Sequence, residues 1–436
     1  MMNNSVWPDT AKLPAFGRLE RNLKTDVLII GGGLAGILCA YMLSKAGVDY
    51  ALVEADRIFH GVSRNTTAKI TAQHGLICSK LLREFGEARA RMYLDANQEA
   101  LAQYRQLSKT IQYDFEEKDC YVYSVDRPSK LEQEMDAMER IGFQAEFVKD
   151  LSLPIQTAGA VKVKAQAQCN PLKLGAEVAR GLRIYEHTPV RAFDERGFLT
   201  DRGRITAEKT IVATHFPIFN KHGGYFLKLY QHRSYVLALE NAMSGALDGM
   251  YVDERDTGLS FRSYGELLLL GGGGHRTGKK GGGWKELAAF TQTHYPKAGV
   301  RYHWATQDCM SLDGVPYIGQ YGKNTPGLYV ASGFNKWGLT SSMVAAMLLR
   351  DLVLGRENPW ADVFSPSRTV LRPQLACNAL ESALNLIAPS VPRCPHMGCA
   401  LKWNEQERSW DCPCHGSRFT EQGKLMDNPA EGDLKK

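Results

Sequence analysis

The stretch Thr25-Asp-Val-Leu-Ile-Ile-Gly-Gly-Gly-Leu-Ala-Gly36 decides the fold. Its β-branched and aliphatic run, Val27 to Ile30, reads as a parallel strand buried on both faces. Gly31, Gly33 and Gly36 fall in the G-x-G-x-x-G register, and Ile37 to Lys45 continues as a helix. In that register the first glycine permits a tight turn and the second lets backbone approach a pyrophosphate. The third lets the helix pack close on the strand. The helix start, with Leu34 and Ala35, adds free N–H groups and a partial positive charge for the phosphates. A second strand, Val48-Asp-Tyr-Ala-Leu-Val-Glu54, follows at βαβ distance and ends in an acid, with Ala55 next. Glu54 can accept both hydroxyls of an adenosine ribose and disfavours a 2′-phosphate. A glycine-rich surface turn is the competing reading, and the complete strand–helix–strand–acid set argues against it. These residues leave FAD and NAD open.

At 436 residues the chain can bury large cores and divides into two or three domains. The net charge of +6 is spread without long basic runs, so neither nucleic acid nor a membrane surface is an expected partner. No segment approaches the roughly 18 apolar residues of a membrane span. The polar N-terminus has no apolar signal core, so a cytoplasmic protein is expected. Of ten cysteines, Cys39, Cys78, Cys120, Cys169, Cys309 and Cys377 are scattered and read as buried, inert thiols, whereas Cys394, Cys399, Cys412 and Cys414 crowd together.

Outward from the first βαβ unit, a small-polar loop spans 56–69, and Ser79 to Thr110 has helical spacing. A strand is expected around Cys120 to Val125, a helix over Lys130 to Arg140, and a capped helix start at Asn170-Pro171. Strands follow at Leu182 to Val190, around Phe198, and at Thr210 to Ala213. Ser234 to Leu239, Leu259 to Tyr264 and Leu267 to Leu270 make a second strand block. Gly327 to Ala331 reads as a strand, Gly338 to Leu354 as a helix, and Pro359 to Pro373 as a linker. The run Gly271–Gly274 invites a second dinucleotide site, but its third glycine position is Arg276 or Thr277, and no helix start follows. It reads as a strand end and turn.

Cys394-Pro-His-Met-Gly-Cys399 and Cys412-Pro-Cys-His-Gly-Ser417 form a C-x-H…C-x-x-H set. Two thiolates and two imidazoles from two loops are the ligands of a Rieske [2Fe–2S] centre, with Cys394 and Cys412 on one iron and His396 and His415 on the other. Neutral imidazoles lower the cluster's negative charge, which makes reduction easier; the class spans roughly −150 to +300 mV. Cys399 and Cys414 sit where a disulfide could tie the loops together. A Cys₂His₂ zinc site uses the same ligands, but it explains neither the second cysteine pair nor the matched Gly398 and Gly416-Ser417. Ser417 could donate to a cluster sulfur and raise the potential.

With these motifs in hand, the chain resembles FAD-dependent amine and amino-acid oxidoreductases of the D-amino-acid oxidase/glycine oxidase superfamily, carrying a C-terminal Rieske domain. Besides Gly31–Gly36 and Glu54, the resemblance rests on Ser63-Arg-Asn-Thr-Thr-Ala-Lys-Ile-Thr-Ala-Gln-His74, Thr210-Ile-Val-Ala-Thr-His215, Asp313-Gly-Val-Pro-Tyr-Ile-Gly319 and Gly327-Leu-Tyr-Val-Ala-Ser-Gly-Phe-Asn-Lys-Trp-Gly-Leu-Thr340. It implies an α/β fold in which a Rossmann-like, glutathione-reductase-type FAD domain (24–78, 150–224 and 305–358) carries an inserted α+β substrate domain (79–149 and 225–304). An N-terminal extension (1–23), a linker (359–381) and a truncated all-β Rieske domain (382–436) complete the expected map. The resemblance selects FAD over NAD. It assigns Thr66, Thr67, Ala68 and Lys69 to the flavin ring, Val190 to the adenine, and Ala213, Thr214, Gly333, Phe334, Gly338, Leu339 and Thr340 to the cofactor. The last helix start would stabilise an anionic reduced flavin.

Two departures stand out. Rieske domains commonly have Tyr two residues after the motif Ser, where this chain has Phe419, so a lower potential is expected. Only Ser382 to Pro392 precedes the first cluster loop, so the cluster is expected to be more exposed or to lean on the flavin domain. The expected reaction is oxidation of a substrate C–N bond at the flavin, with electrons passed singly through the cluster to an external acceptor. Arg233, Arg262 and Arg276 are candidate carboxylate forks, although each also reads as a solvated surface arginine. Lys69, His74, Tyr235 and His275 are candidate catalytic groups, and each also reads as a packed, hydrogen-bonded residue. Alternatives are reversed flow, with a ferredoxin-like donor feeding a reductase or monooxygenase flavin, and a non-enzymatic redox sensor. A Rieske oxygenase would need a two-histidine, one-carboxylate iron site after an N-terminal Rieske domain, and the motif here is C-terminal.

Overall fold

The computed structural model describes residues 4–219, 223–242, 247–369, 371–389 and 392–435. Its first sheet is built on the strand Leu23–Ile30, whose last four residues are all buried. That strand pairs in parallel with Tyr50–Val53 on one side and Arg204–Val212 on the other. Ile184–Tyr185 and Leu328–Ser332 extend the parallel sheet, and Tyr317–Gln320 closes one edge antiparallel. The helix Leu34–Lys45 is apolar nearly all round and buried on most sides, as a helix packed between a sheet and other helices must be. The helix Gly338–Val353 packs beside it, with residues from Leu339 to Leu349 buried.

The second sheet has nine strands in the order Gly299–Ser311, Leu229–Glu240, Leu267–Arg276, Ser260–Tyr264, Gly249–Asp253, Glu116–Ser124, Gly159–Gln168, Lys69–Ile70, with Glu146–Val148 paired to Gly159–Gln168. Three assignments therefore move from the sequence-based map. Lys69–Ile70 and Gly159–Gln168 lie in the second sheet although they fall inside 24–78 and 150–224, and Gly299–Ser311 runs straight through position 305. Hydrogen-bond pairing across distant segments sets sheet membership, and no local signal reports it.

The helices Ile77–Ser108, Pro128–Arg140 and Pro171–Val178 lie where periodicity and capping place them, and the Asn170 side chain accepts from the Leu172 and Lys173 amides. The glycine run does not end its strand. Leu267–Arg276 continues through Gly271–Gly274, and the helix Gly283–His294 follows. Gly273, at φ +61°, has no room for a side chain because the Gly283 backbone lies against it. Glycine serves there for close approach of a neighbouring loop rather than for a turn.

The C-terminal module is a four-stranded antiparallel meander, Lys402–Asn404, Ser409–Asp411, Arg418–Thr420 and Leu425–Asp427. The expected linker contains the short helix Ala361–Phe364, and the helix Pro373–Ile387 crosses the expected boundary at 381/382. Cys377, on that helix, is exposed rather than buried. The N-terminal extension is anchored, since Trp7 is fully buried and donates from Nε1 to the Thr66 carbonyl at 2.8 Å.

Candidate functional site

A cavity of about 1100 Å³ opens between the two large sheets. Gly31, Gly33, Leu34 and Ala35 line it from the first turn, Glu54 and Ala55 from the end of the second strand, and Thr66, Thr67 and Lys69 from the small-polar loop. Val190, Ala213 and Thr214 form another wall, and Gly333, Phe334, Gly338 and Leu339 close it. Of the sequence-predicted cofactor residues, Gly36, Ala68 and Thr340 lie behind that surface. A Cβ on Gly36 would strike the Gly31 carbonyl, so Gly36 serves helix–strand packing. Ala68 is fully buried, and the Thr340 hydroxyl is bonded to Thr71 O and His74.

The lining fits a dinucleotide. A Cβ on Gly33 would meet only the Ser63 hydroxyl, at 3.2 Å, so the backbone is bare where phosphates approach. Gly31 adopts φ +112° against the Ala213 carbonyl, a conformation that favours glycine. Glu54 accepts from the Gly32 amide at 2.6 Å and the Asp56 amide at 3.0 Å, which fixes its carboxylate at the cavity edge. Burial raises its pKa, and the backbone donors oppose that.

Few of the catalytic candidates present a free group to the cavity. Lys69 does, as its Nζ has only the Thr67 hydroxyl at 3.2 Å. Burial, with the Arg262 charge adding, brings its pKa down to about 7. His74 is a packed residue. Its Nε2 donates to the Thr71 carbonyl at 2.8 Å, Nδ1 accepts the Tyr93 hydroxyl at 2.6 Å, and the ring stacks on Trp337. Burial pushes its pKa down to about 3, so it stays neutral.

The three arginines are not solvated forks. Arg262 is 1% exposed and donates to the Thr67 and Ala68 carbonyls at 2.6 and 3.0 Å, which pins the small-polar loop. Arg233 is buried and bidentate on Glu407 of the C-terminal module. Arg276 donates to the Pro413 carbonyl and to Asn378. The Tyr235 hydroxyl lies 2.9 Å from His275 Nε2 and 3.0 Å from Glu407. Of the four candidates for substrate chemistry, Arg233, His275 and Arg276 thus belong to the platform that holds the C-terminal module, while Tyr235 joins that platform and also lines the cavity. The cavity wall carries instead an unforeseen trio. Ser234 donates to Asp308 at 2.8 Å and accepts from Lys336 at 3.2 Å. Burial raises the Asp308 pKa, and Lys336 opposes that. No motif in the sequence marks this trio.

The two cysteine loops are built alike. Gly398 N–H donates to Cys394 O and Gly416 N–H to Cys412 O, each at 2.9 Å; Cys394 N–H donates to Cys399 O and Cys412 N–H to Ser417 O, also at 2.9 Å. Gly398 and Gly416 adopt φ +79° and +88°, which accounts for the matched glycines. Cys399 and Cys414 form a disulfide between the loops, while Cys394 and Cys412 are buried and unbonded. The His396 and His415 rings stand edge to face at 4.9 Å, and all four ring nitrogens are buried without a hydrogen-bond partner.

Burial lowers the two imidazole pKa values to about 4 and about 3, so both are neutral at pH 7. The Cys394 thiol is lowered to about 7 by hydrogen bonds from Cys412 and Ser417. Orphaned imidazoles on the same two loops as two free buried thiols fit a metal cluster, since buried polar atoms otherwise find partners. Residues of the two large sheets and their connections supply cover for the short module. Phe216 and Phe226 pack on the histidines, and Gln307 donates to the Gly416 carbonyl at 2.9 Å.

Comparison with known proteins agrees with both halves. Residues 26–352 match the FAD dependent oxidoreductase family, and residues 386–436 match the Rieske [2Fe-2S] domain. A Rieske 2Fe-2S iron-sulfur protein of Bacillus subtilis (strain 168), YhfW, is 34% identical over 99% of this chain and 97% of its own length. The gamma-glutamylputrescine oxidoreductase of Escherichia coli (strain K12) is 24% identical over 79% of this chain and 87% of its own length. Among solved structures, L-proline dehydrogenase from P. horikoshii (TM-score 0.67, 15% identity, 80% of this chain and 98% of that one) and glycine oxidase from Geobacillus kaustophilus (TM-score 0.64, 22% identity, 80% and 100%) share the fold. The first family match implies FAD and the second a [2Fe–2S] cluster. No helix among the described residues is long and apolar enough to cross a membrane. The chain belongs to the FAD-dependent oxidoreductase family and carries a C-terminal Rieske [2Fe–2S] domain.

Proposed function

We propose that this protein oxidises a C–N bond of an amine or amino acid in the cavity and delivers the electrons one at a time, through the Rieske centre, to an external acceptor. The observation that carries this reading is the shared wall. Strands Leu229–Glu240 and Gly299–Ser311 line the cavity through Ser234, Thr306 and Asp308, and hold the cluster module through Arg233, Tyr235 and Gln307. The amine and amino-acid activities named for relatives support the substrate class.

In this reading Gly31, Gly33, Leu34, Ala35 and Glu54 hold the adenosine and pyrophosphate, and Thr66, Thr67, Lys69, Gly333, Phe334, Gly338 and Leu339 surround the ring. Cys394, His396, Cys412 and His415 ligate the irons. FAD supplies hydride acceptance from the substrate carbon when bound, and the protein supplies orientation and electrostatics. The helix Gly338–Val353 directs the positive end of its dipole at the cavity. Lys69, neutral in part near pH 7, removes a proton from the substrate ammonium so that the amine lone pair is free. The wall pair Ser234 and Asp308, with Lys336, orients the substrate's polar end.

The test is an anaerobic screen of amines and amino acids, read by visible spectrum. A substrate bleaches the flavin and then the oxidised cluster. If no amine or amino acid does so while a reduced ferredoxin-like donor reduces both centres, electron flow is reversed and this proposal fails.

A further inference from the structure

The geometry points to the segment Ala213–Phe216 as the bridge between the cavity and the cluster, with Phe216 a positioning residue for both cluster histidines; the inference rests on the two-cofactor reading above. The segment leaves the central strand Arg204–Val212 and is tied to the first βαβ unit by the Ala213 amide, which donates to Ile30 O at 2.8 Å. Ala213, Thr214 and His215 line the cavity. At His215 the backbone takes φ +64°, and the Ser332 hydroxyl locks its carbonyl at 2.6 Å. The next residue, Phe216, is fully buried. Its ring stands edge-on to His396 (centroids 6.4 Å apart) and to His415 (6.2 Å).

The cluster module grips the same segment from its own side. Asn428 donates to the carbonyls of Thr214 at 2.8 Å and Phe216 at 3.0 Å. The His215 imidazole bonds Gln231 at 3.1 Å, and Gly416 is bare where the Gln231 side chain crosses it. Consecutive residues of one peptide therefore reach from the cavity wall, at His215, to both imidazole ligands, where the buried Phe216 ring stands. Phe226, the other aromatic cover, meets only His415. A substrate yields electrons as a pair. Crossing here singly, each would reduce a bound cluster by one electron, ferric iron to ferrous, and an external one-electron acceptor protein would remove it before the second crosses.

The test needs no substrate. The flavin of anaerobic holoprotein is reduced by light and a sacrificial donor, and the delay before the cluster is reduced is timed by visible circular dichroism. Phe216→Ala should keep its flavin, iron and sulfide, slow this internal transfer by about tenfold, or about 1.4 kcal/mol of barrier, and alter the histidine nitrogen couplings in the cluster's EPR spectrum. Phe226→Ala should transfer at close to the wild-type rate. Transfer in Phe216→Ala as fast as in wild type, or equal slowing in Phe226→Ala, overturns the assignment. If Phe216→Ala does not load its cluster, Phe216→Leu and Asn428→Ala carry the same two outcomes, and cluster loss in all three overturns a role in transfer. Wild-type transfer under light with no amine substrate found would leave the bridge standing and reject only the substrate reading.

Discussion

Replacing Glu407 by Gln tests the docking of the cluster module most sharply. Glu407 is buried between Arg233 and Arg418, which are 3% and 4% exposed in their side chains. Burial alone would raise its pKa, but the two guanidinium groups overcome that and hold it at about 2 against an ordinary 4.5. At about 1.4 kcal/mol per pH unit this is a contribution of about 3 kcal/mol to folding. Because the folded-state value is the lower one, the contribution is complete above pH ~4.5 and is lost as the pH falls toward ~2.

A second route gives a similar size. Arg418 keeps Asp411 at 2.9 Å and Asp427 at 3.0 Å, so Arg233 alone is left uncompensated, and breaking a buried pair from one side costs about 3–5 kcal/mol. In urea titrations of holoprotein at pH 7, with the cluster followed by visible circular dichroism, Glu407→Gln should lower the midpoint by about 1 M or more, for m-values of about 1–3 kcal/mol per M. The deficit should shrink as the titration is repeated below pH ~4.5. Arg233→Met combined with Glu407→Gln should recover much of it, because neither charge is then left alone. A single variant equal to wild type at pH 7, or a double variant worse than the single, would refute the reasoning.

Other outcomes follow from the same contacts. Lys69, deprotonated above about pH 7, should give a kcat/KM that rises through that value once a substrate is in hand, and Lys69→Met should abolish that limb; a profile unchanged in the variant excludes Lys69 as the base. Cys399→Ser with Cys414→Ser removes a crosslink spanning 15 residues, worth about 3 kcal/mol by chain entropy, and should release iron at lower urea while flavin stays bound. Trp7→Ala deletes a fully buried ring and its bond to the Thr66 carbonyl; a loss of about 3–5 kcal/mol is expected, with flavin release preceding cluster loss in a thermal ramp.

What was legible in the sequence was what spacing alone determines. The glycine register, the acid after the second strand and the cysteine–histidine loops are each recognisable from spacing within a short segment, and each recurs in the structure. The positive φ of the matched Gly398 and Gly416 is of this kind, since each serves its own turn, whereas the crossing of Gln231 over Gly416 is not. What was hidden depends on partners far along the chain. Arg233 finds Glu407 across 174 residues, and Arg262 finds the Thr67 carbonyl across 195. A local reading could only weigh surface against substrate for either, and both turned out to be buried struts. The Gly271–Gly274 run misled for the same reason, because its room is taken by a loop that only the fold brings near. Asp308 carried no motif, and its place on the cavity wall comes from pairing between Leu229–Glu240 and Gly299–Ser311.

Two redox centres sharing one chain are the central claim, and EPR of anaerobically purified, reduced protein with parallel flavin extraction tests it most directly. The prediction is FAD in the extract and a [2Fe–2S] signal carrying nitrogen couplings from two histidines, lost in His396→Ala and His415→Ala. Zinc in place of iron, or a cluster signal without histidine nitrogen, would contradict it.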